Sequence, residues 1–457
     1  MSRSWLIVPL LLLYVLHLGG VGFLGPDEPR YAAIGRDMAK TGDWITPRLN
    51  AQPWFEKPPL TYWLTALGHL AHLPDEWAAR LPEVLISAAF LVFFYATLSR
   101  EFSPRLALAA TCILATSTGW MSYSFAALTD LPMSAALGAA ILIAVFDDRR
   151  ALLAGALLGL SILGKGFVPV VLFAPVLLIN RKRFHILAAA VIVAAPWFIL
   201  CWLRNGSAFW DDFFWKQHVA RFLTPSLEHV QPIWYYIPVL LAGLFPWTPL
   251  AALLARRQLY TDRRLLLLAL WLLYGLLFFS VAKNKLPGYL LPLLPGVAIL
   301  LAAAWESARS KTIWLAASAV LLIALPTVIG ILPDALLSGL TRTHITFAPV
   351  GLLFLIPVSA VWILRKRPES ALLTVALAAA LGVVYLKYTT FPALDTTVSV
   401  RNFWRSHQTP VSTACVDNVN RTLQYGLNYY AAHELPPCAA AAPSPRITTH
   451  DHRLILE

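Results

Sequence analysis

Charge is what this chain has least of. Only 13% of its 457 residues are Asp, Glu, Lys or Arg and 58% are hydrophobic, whereas about a quarter of a soluble domain is charged. A soluble globular enzyme is excluded on that ground. Cysteine is scarce too: there are four, with no CxxC or other thiolate-rich metal spacing, which excludes a zinc ribbon or an iron–sulfur protein. No internal repeat is visible, and that speaks against a transporter built from symmetric halves. The first apolar stretch, MSRSWLIVPLLLLYVLHLGG, begins like a signal peptide but has no small-residue cleavage site. It reads as a first membrane span.

What is present is a succession of apolar runs suited to a bilayer core about 30 Å thick. They fall near 5–24, 78–98, 105–120, 131–147, 151–164, 167–180, 184–203, 234–254, 265–282, 288–305, 312–332, 347–364 and 370–388, which makes about thirteen spans. The net charge of +12 lies largely in short clusters between the runs, such as Arg149-Arg150, Arg181-Lys182-Arg183 and Arg365-Lys366-Arg367. That placement marks inner loops rather than a nucleic-acid footprint.

One stretch decides the topology. A single helix over 151–180 would bury Lys165 near the bilayer centre, at a cost of about 3 kcal/mol or more. Two short helices reversing at Gly164-Lys165-Gly166 keep the flanking basic clusters on one side, and this hairpin is the expected arrangement. It places the N-terminus in the cytoplasm, the C-terminus outside, and every polar segment of interest on the outer face. The expected fold is an all-α polytopic membrane domain over 1–388, with interfacial helices between the first two spans, and a small α/β region over 389–457. In that region PVSTACV and RLILE read as strands, and Arg421 to His433 as a helix. Outside the cell membrane, Cys415 and Cys438 could form a disulfide. Cys112 and Cys201 read as buried small hydrophobes.

The densest charge follows the first span, in GPDEPRYAAIGRDMAKTGDWITPRLNAQPWFEKPPLTYW, residues 25–63. Asp27 precedes Pro29 and a helical pattern with Tyr31, Ile34, Gly35 and Met38 on one face, stopped by Gly42, as in a helix lying along the membrane interface. An N-cap is the plain reading of Asp27, yet it leaves Glu28 and Arg30 unexplained. Pro58-Pro59 open a second helix and set Lys57 at its N-terminus, where the dipole and free N–H groups favour an anion. A snorkelling lysine is the alternative there. LTDLPM enters a span at Asp130, a site acid or another N-cap. WKQHVARF, 215–222, puts His218 and Arg221 on one helical face, and KNKLPGYLLP, 283–292, spaces Lys285 one helical turn from Tyr289. Such a set suits chemistry on an anionic lipid: cations stabilise a departing phosphate, and a carboxylate takes a proton from an acceptor hydroxyl or positions the reacting groups.

Through DEPRYA at 27–32, WFEKPPLTYW at 54–63, LTDLPM, GKG at 164–166, WKQHVARF and KNKLPGYLLP, the chain resembles the lipid-linked-sugar glycosyltransferases of the C-type (GT-C) fold. The resemblance is to bacterial aminoarabinose transferases of lipid A and, more distantly, to protein O-mannosyltransferases. It implies transfer of a sugar from a polyprenyl-phosphate donor to an envelope acceptor, a lipid or glycan such as lipid A, at the periplasmic face of the bacterial inner membrane. It further implies Asp27 and Asp130 as site acids, and Lys57, Arg221 and Tyr289, with Lys285 nearby, as ligands of the donor phosphate. Glu28, Arg30 and Lys165 are candidates for further site residues. Glu56 and His218 match a divalent-metal pair, with zinc the implied ion. The C-terminal region is shorter than is usual in aminoarabinose transferases, so the acceptor is the least determined part. A flippase of lipid-linked sugars is the alternative from another class, and it calls for charges at mid-membrane rather than at one edge.

Overall fold

The computed structural model describes residues 12–220, 230–338, 345–438, 445–450 and 453–457. Among these, seven helices are long and apolar enough to cross a membrane, and eight if the pair Ile233–Gly243 and Thr248–Ala255, bent by 120°, counts as one broken span. The chain is a multi-pass membrane protein. Every expected run after the first has helical structure in place, but four of them are short: Pro104–Thr116, Asp130–Phe146, Ala151–Lys165 and Val168–Ile179 have 13, 17, 15 and 12 residues. At 1.5 Å per residue these fall below the roughly 20 residues of a full crossing. Short helices of this sort leave polar ends inside the molecule, where a site can be lined.

The reversal at Lys165 is present. Ser161 Oγ donates to the Met133 carbonyl at 2.9 Å, so Ala151–Lys165 runs back along Asp130–Phe146. The backbone turns at Gly166, whose φ is +81°. Val168–Ile179 then returns, since Asn180 Nδ2 reaches the Ala144 carbonyl at 2.7 Å. Gly155 packs against Ile186 and Ala189, and Gly159 against Ala190 and Val193. Helices Ala151–Lys165 and Arg183–Phe209 are therefore parallel, and the basic clusters preceding them lie at the same end.

Two interfacial helices sit at the opposite end, where Asp130 begins its helix. Asp27–Thr41 is ended by Gly42 in the left-handed conformation, with its N–H on the Met38 carbonyl. It packs on Leu60–Leu70, which starts directly after Pro59, through a cluster of Tyr31, Ile34, Met38, Tyr62 and Ala66. A short hairpin, Arg48–Leu49 paired with Gln52–Pro53, joins them.

The C-terminal region differs in detail from expectation. Helical structure continues through residue 388 to Thr397. The first residues of the expected strand, 410–412, belong to the helix Gln408–Ser412, leaving Cys415–Val416 as the strand. This pairs in parallel with Arg446–His450, a strand not expected, which pairs antiparallel with Arg453–Leu456. Arg421–Ala431 is the helix, and Cys415 and Cys438 form a disulfide. The region has its own small core, Val400, Val411, Leu427, Leu435 and Ile447 among it, and is tied to the membrane domain by buried charge. Arg401 binds Asp395 at 2.9 Å and Glu76 at 3.2 Å, while Tyr430 donates to Glu76 at 2.8 Å.

Candidate functional site

Neither expected acid is an N-cap. Pro26 and Thr129 hold the N-cap positions, without side-chain cap bonds, and Asp27 and Asp130 are the first helical residues. Each is paired with a cation: Asp27 with Arg30 one turn on, and Asp130 with Lys165 at the reversal.

From Asp27 a chain of charge runs inward. Arg30 Nη2 holds Asp27 and Nη1 holds Glu56 Oε2 at 2.8 Å; Glu56 Oε1 takes Lys57 Nζ at 3.0 Å. Arg30 is only 7% exposed, whereas Asp27 is 41% exposed and open to a bound molecule. Burial works against the Arg30 charge, but Glu56 and Asp27 outweigh it and raise the pKa above even the usual guanidinium value. Burial and the same carboxylates push the Tyr31 phenol well up and keep it protonated.

The second cluster forms around Asp130. Lys165 Nζ lies 5.0 Å from the Tyr289 ring centroid as well as on Asp130. The Tyr123 hydroxyl comes close: a Cβ placed on Gly288 would lie 2.5 Å from Tyr123 Oη and 2.8 Å from Asp130 Oδ1. Burial, with Asp130 and Asp27 adding to it, raises the Tyr123 pKa. Tyr123 thus feels both acids, although its sequence, SYSFAALTDLPM, draws attention only to Asp130. A cavity of about 110 Å³ joins the two clusters: Glu56 and Lys57 of the first and Lys165 and Tyr289 of the second line it, with Met133, Phe278 and Phe279 as its apolar part.

Two expected residues are held by other partners in this structure. Glu28 is buried and turned away from the cavity. Both its oxygens bind Arg80, at 2.9 and 2.8 Å, and accept from the Ala127 and Leu24 N–H groups, both at 2.9 Å. Arg80 in turn donates to the Leu18, Val21 and Gly22 carbonyls, so the pair anchors the end of the first span. Lys285 donates to the Gln231 and Ala282 carbonyls at 2.9 and 2.7 Å, and burial, with Lys283 beside it, lowers its pKa. The one-turn spacing to Tyr289 fails because the helical turn starts at Pro287, after Lys285. Arg221 and the side chain of His218 lie outside the described residues. No group of three or more potential metal ligands occurs among the described residues, and both Glu56 oxygens are held by cations.

Residues 56–202 match the family model of the dolichyl-phosphate-mannose-protein mannosyltransferases, a stretch that includes Glu56, Lys57, Asp130 and Lys165. The chain is 36% identical over 340 residues to the undecaprenyl phosphate-alpha-4-amino-4-deoxy-L-arabinose arabinosyl transferase of Pectobacterium carotovorum, covering 68% of this chain and 60% of that protein. It is 32% identical over 334 residues to the Pseudomonas aeruginosa enzyme of the same name, covering 65% and 58%. The chain thus spans about 60% of the length of the curated relatives it matches. Its fold is that of ArnT from Cupriavidus metallidurans. The crystal structure bound to undecaprenyl phosphate superposes with TM-score 0.78 at 23% identity, over 97% of this chain and 87% of that one. The apo structure gives TM-score 0.74 at 24% identity, over 94% and 84%.

Proposed function

We propose that this chain, a member of the C-type-fold lipid-linked-sugar glycosyltransferases, moves a sugar from a polyprenyl phosphate to an envelope acceptor. By analogy with its relatives the sugar is 4-amino-4-deoxy-arabinose and the acceptor a lipid such as lipid A. The setting is the bacterial inner membrane, with the site at the periplasmic face, about thirteen spans, the N-terminus in the cytoplasm and the C-terminal region over 389–457 outside. The observation that carries this reading is the cavity whose cationic walls, Lys57 and Lys165, meet an apolar one of Met133, Phe278 and Phe279. A phosphate on an isoprenoid chain needs both surfaces within a few ångströms.

In the proposed reaction an acceptor oxygen attacks the anomeric carbon. The bond from that carbon to the phosphate oxygen breaks, and polyprenyl phosphate leaves with the electron pair. Lys57 and Tyr289, both in the cavity lining, with Arg221 and Lys285 as further candidates, stabilise the charge that grows on the phosphate. Asp27, the more open acid, faces the acceptor: it takes the proton of a hydroxyl, or positions the groups when the acceptor is itself a phosphate and needs no base. Asp130, locked to Lys165, orients that lysine toward the donor. A divalent ion on Glu56 and His218 is a further proposal. It would share the Glu56 carboxylate with Lys57 and Arg30, and zinc content of the wild type against His218→Ala tests it.

Purified protein in proteoliposomes, given radiolabelled undecaprenyl-phosphate aminoarabinose and lipid A, is expected to move label to the lipid. Asp27→Asn and Lys57→Ala are each expected to slow that transfer about 100-fold or more. Transfer to a protein acceptor instead would favour the mannosyltransferase-like reading that the family model suggests. Donor movement across the bilayer without transfer would favour a flippase.

A further inference from the structure

The Arg30 guanidinium stands among three rings: its central carbon is 5.9 Å from the Tyr31 centroid, 5.6 Å from Trp54 and 5.0 Å from Tyr425. The first two belong to the interfacial segment that carries Asp27 and Glu56. The third, and nearest, comes from the C-terminal helix Arg421–Ala431. That helix is fixed one turn further along, where Arg36 donates to the Tyr429 carbonyl at 2.7 Å and its guanidinium lies 4.0 Å from the Tyr429 ring centroid. The Tyr425 hydroxyl accepts from Arg421 Nε at 2.9 Å, which sets the ring.

We propose that Tyr425 is a positioning residue of the reaction: by lying against Arg30 it holds the guanidinium in the one orientation that pairs Asp27 and Glu56 together, so the C-terminal region completes the site. Arg30 itself reaches its two carboxylates with opposite amino groups, and its fork works only if the plane is held. A guanidinium gains from an aromatic face, and gains more where water is excluded. Arg30 Nε donates to the Pro26 carbonyl at 3.0 Å, and the ring faces pack on the plane without competing for its N–H groups. Without Tyr425, Arg30 keeps its charge but gains freedom to swing, and Asp27 loses a fixed direction toward the acceptor. The Cys415–Cys438 disulfide and the Arg401 pairs hold the region that presents the ring.

The inference rests on the glycosyltransferase reading, so the test has two arms. In the first, Tyr425→Ala is assayed in the full chain with radiolabelled undecaprenyl-phosphate aminoarabinose and lipid A. Turnover is expected to fall about 10- to 100-fold, with the KM for donor and the melting temperature unchanged. Tyr425→Phe, which keeps the ring and loses only the Arg421 contact, should restore turnover to within about threefold of wild type. Turnover retained in Tyr425→Ala, or lost equally in Tyr425→Phe, overturns the proposal. In the second arm, a cryo-EM structure of Tyr425→Ala shows whether Arg30 leaves Asp27 or Glu56. An unmoved Arg30 overturns the proposal whatever the activity. A wild type that transfers no sugar, together with a displaced Arg30, overturns the functional reading and leaves the positioning role standing.

Discussion

Arg30 lies 2.8 Å from Glu56 through one amino group while its other amino group holds Asp27. One guanidinium thereby joins Asp27, three residues before it, to Glu56, 26 residues after it. Lysine carries the same charge but has no rigid fork. Arg30→Lys is therefore expected to lose about 100-fold in transfer while remaining folded, and Arg30→Ala to lose at least as much. Initial rates at saturating donor, read beside thermal melts, check both. Full activity in Arg30→Lys would mean that the bridge has no part in the reaction.

Glu28 sits one residue from Asp27 but is bound to Arg80 and two backbone N–H groups. Its pair with Arg80 is buried on both sides, so removing one partner strands a charge away from water. Glu28→Gln is expected to destabilise the protein by about 3–5 kcal/mol and to show mainly as poor yield and early melting. Protein that does fold should turn over at the wild-type rate. A stable but inactive Glu28→Gln would return this residue to the site.

Glu83 poses the reverse case. It is 0% exposed, and neither carboxyl oxygen has a hydrogen-bond partner among the described residues. Leaving such a group unsatisfied costs about 1–3 kcal/mol. Glu83→Leu, similar in bulk, is expected to melt at or above the wild-type temperature. A clear loss of stability would reveal a partner that the described residues do not include.

The sequence made one part of the site conspicuous because charge is so costly in a chain of this composition. Asp27, Glu56 and Lys57 stand in a single polar stretch, and Lys165 betrays a helix reversal by the penalty of burying it. The same reasoning could not separate Glu28 from Asp27. Adjacent carboxylates look alike until Arg80, 52 residues on, claims one of them. Tyr123 and Tyr425 were illegible for another reason: a tyrosine near an interface is the ordinary expectation, and only the fold shows which ones meet Asp130 and Arg30. Pro287 interrupts the helical spacing between Lys285 and Tyr289, and Lys285 turns to the Gln231 and Ala282 carbonyls. The strand Arg446–His450 is short, and its pairing with Cys415–Val416 bridges about 30 residues, a link that local pattern cannot carry.

Asp43 offers a pH test outside the spans. It accepts from the Ile45 and Thr46 N–H groups at 3.1 and 3.2 Å, pairs with Arg48, and meets Arg204 at 2.7 Å. Burial favours its neutral form, but these partners prevail and hold the carboxyl below its ordinary value. A folded-state pKa below the unfolded one gives stability that is present above the unfolded value, about 4, and is lost as pH falls through the folded one. Asp43→Asn should then melt below wild type at neutral pH, by about 1–3 kcal/mol. The two should converge in acid. Melting curves between neutral and strongly acidic pH read the difference directly, and a gap that persists in acid would mean lost packing rather than lost charge.

Gly288 faces both Tyr123 and Asp130 at a distance that leaves no room for a methyl group. Tyr123 is the longer side chain and can swing, but Asp130 is short and tied to Lys165. In Gly288→Ala the added carbon should therefore push Asp130 or break its pair with Lys165, shifting Lys165 from its place against Tyr289. Transfer is expected to fall about 10- to 100-fold, with a modest loss of stability of about 1–3 kcal/mol. Adding Tyr123→Phe, which removes the hydroxyl nearest the new methyl, should recover part of that loss if the tyrosine is what yields. If the double variant is as slow as the single one, the displaced group is Asp130, and the Asp130–Lys165 pair is the element whose position sets the rate.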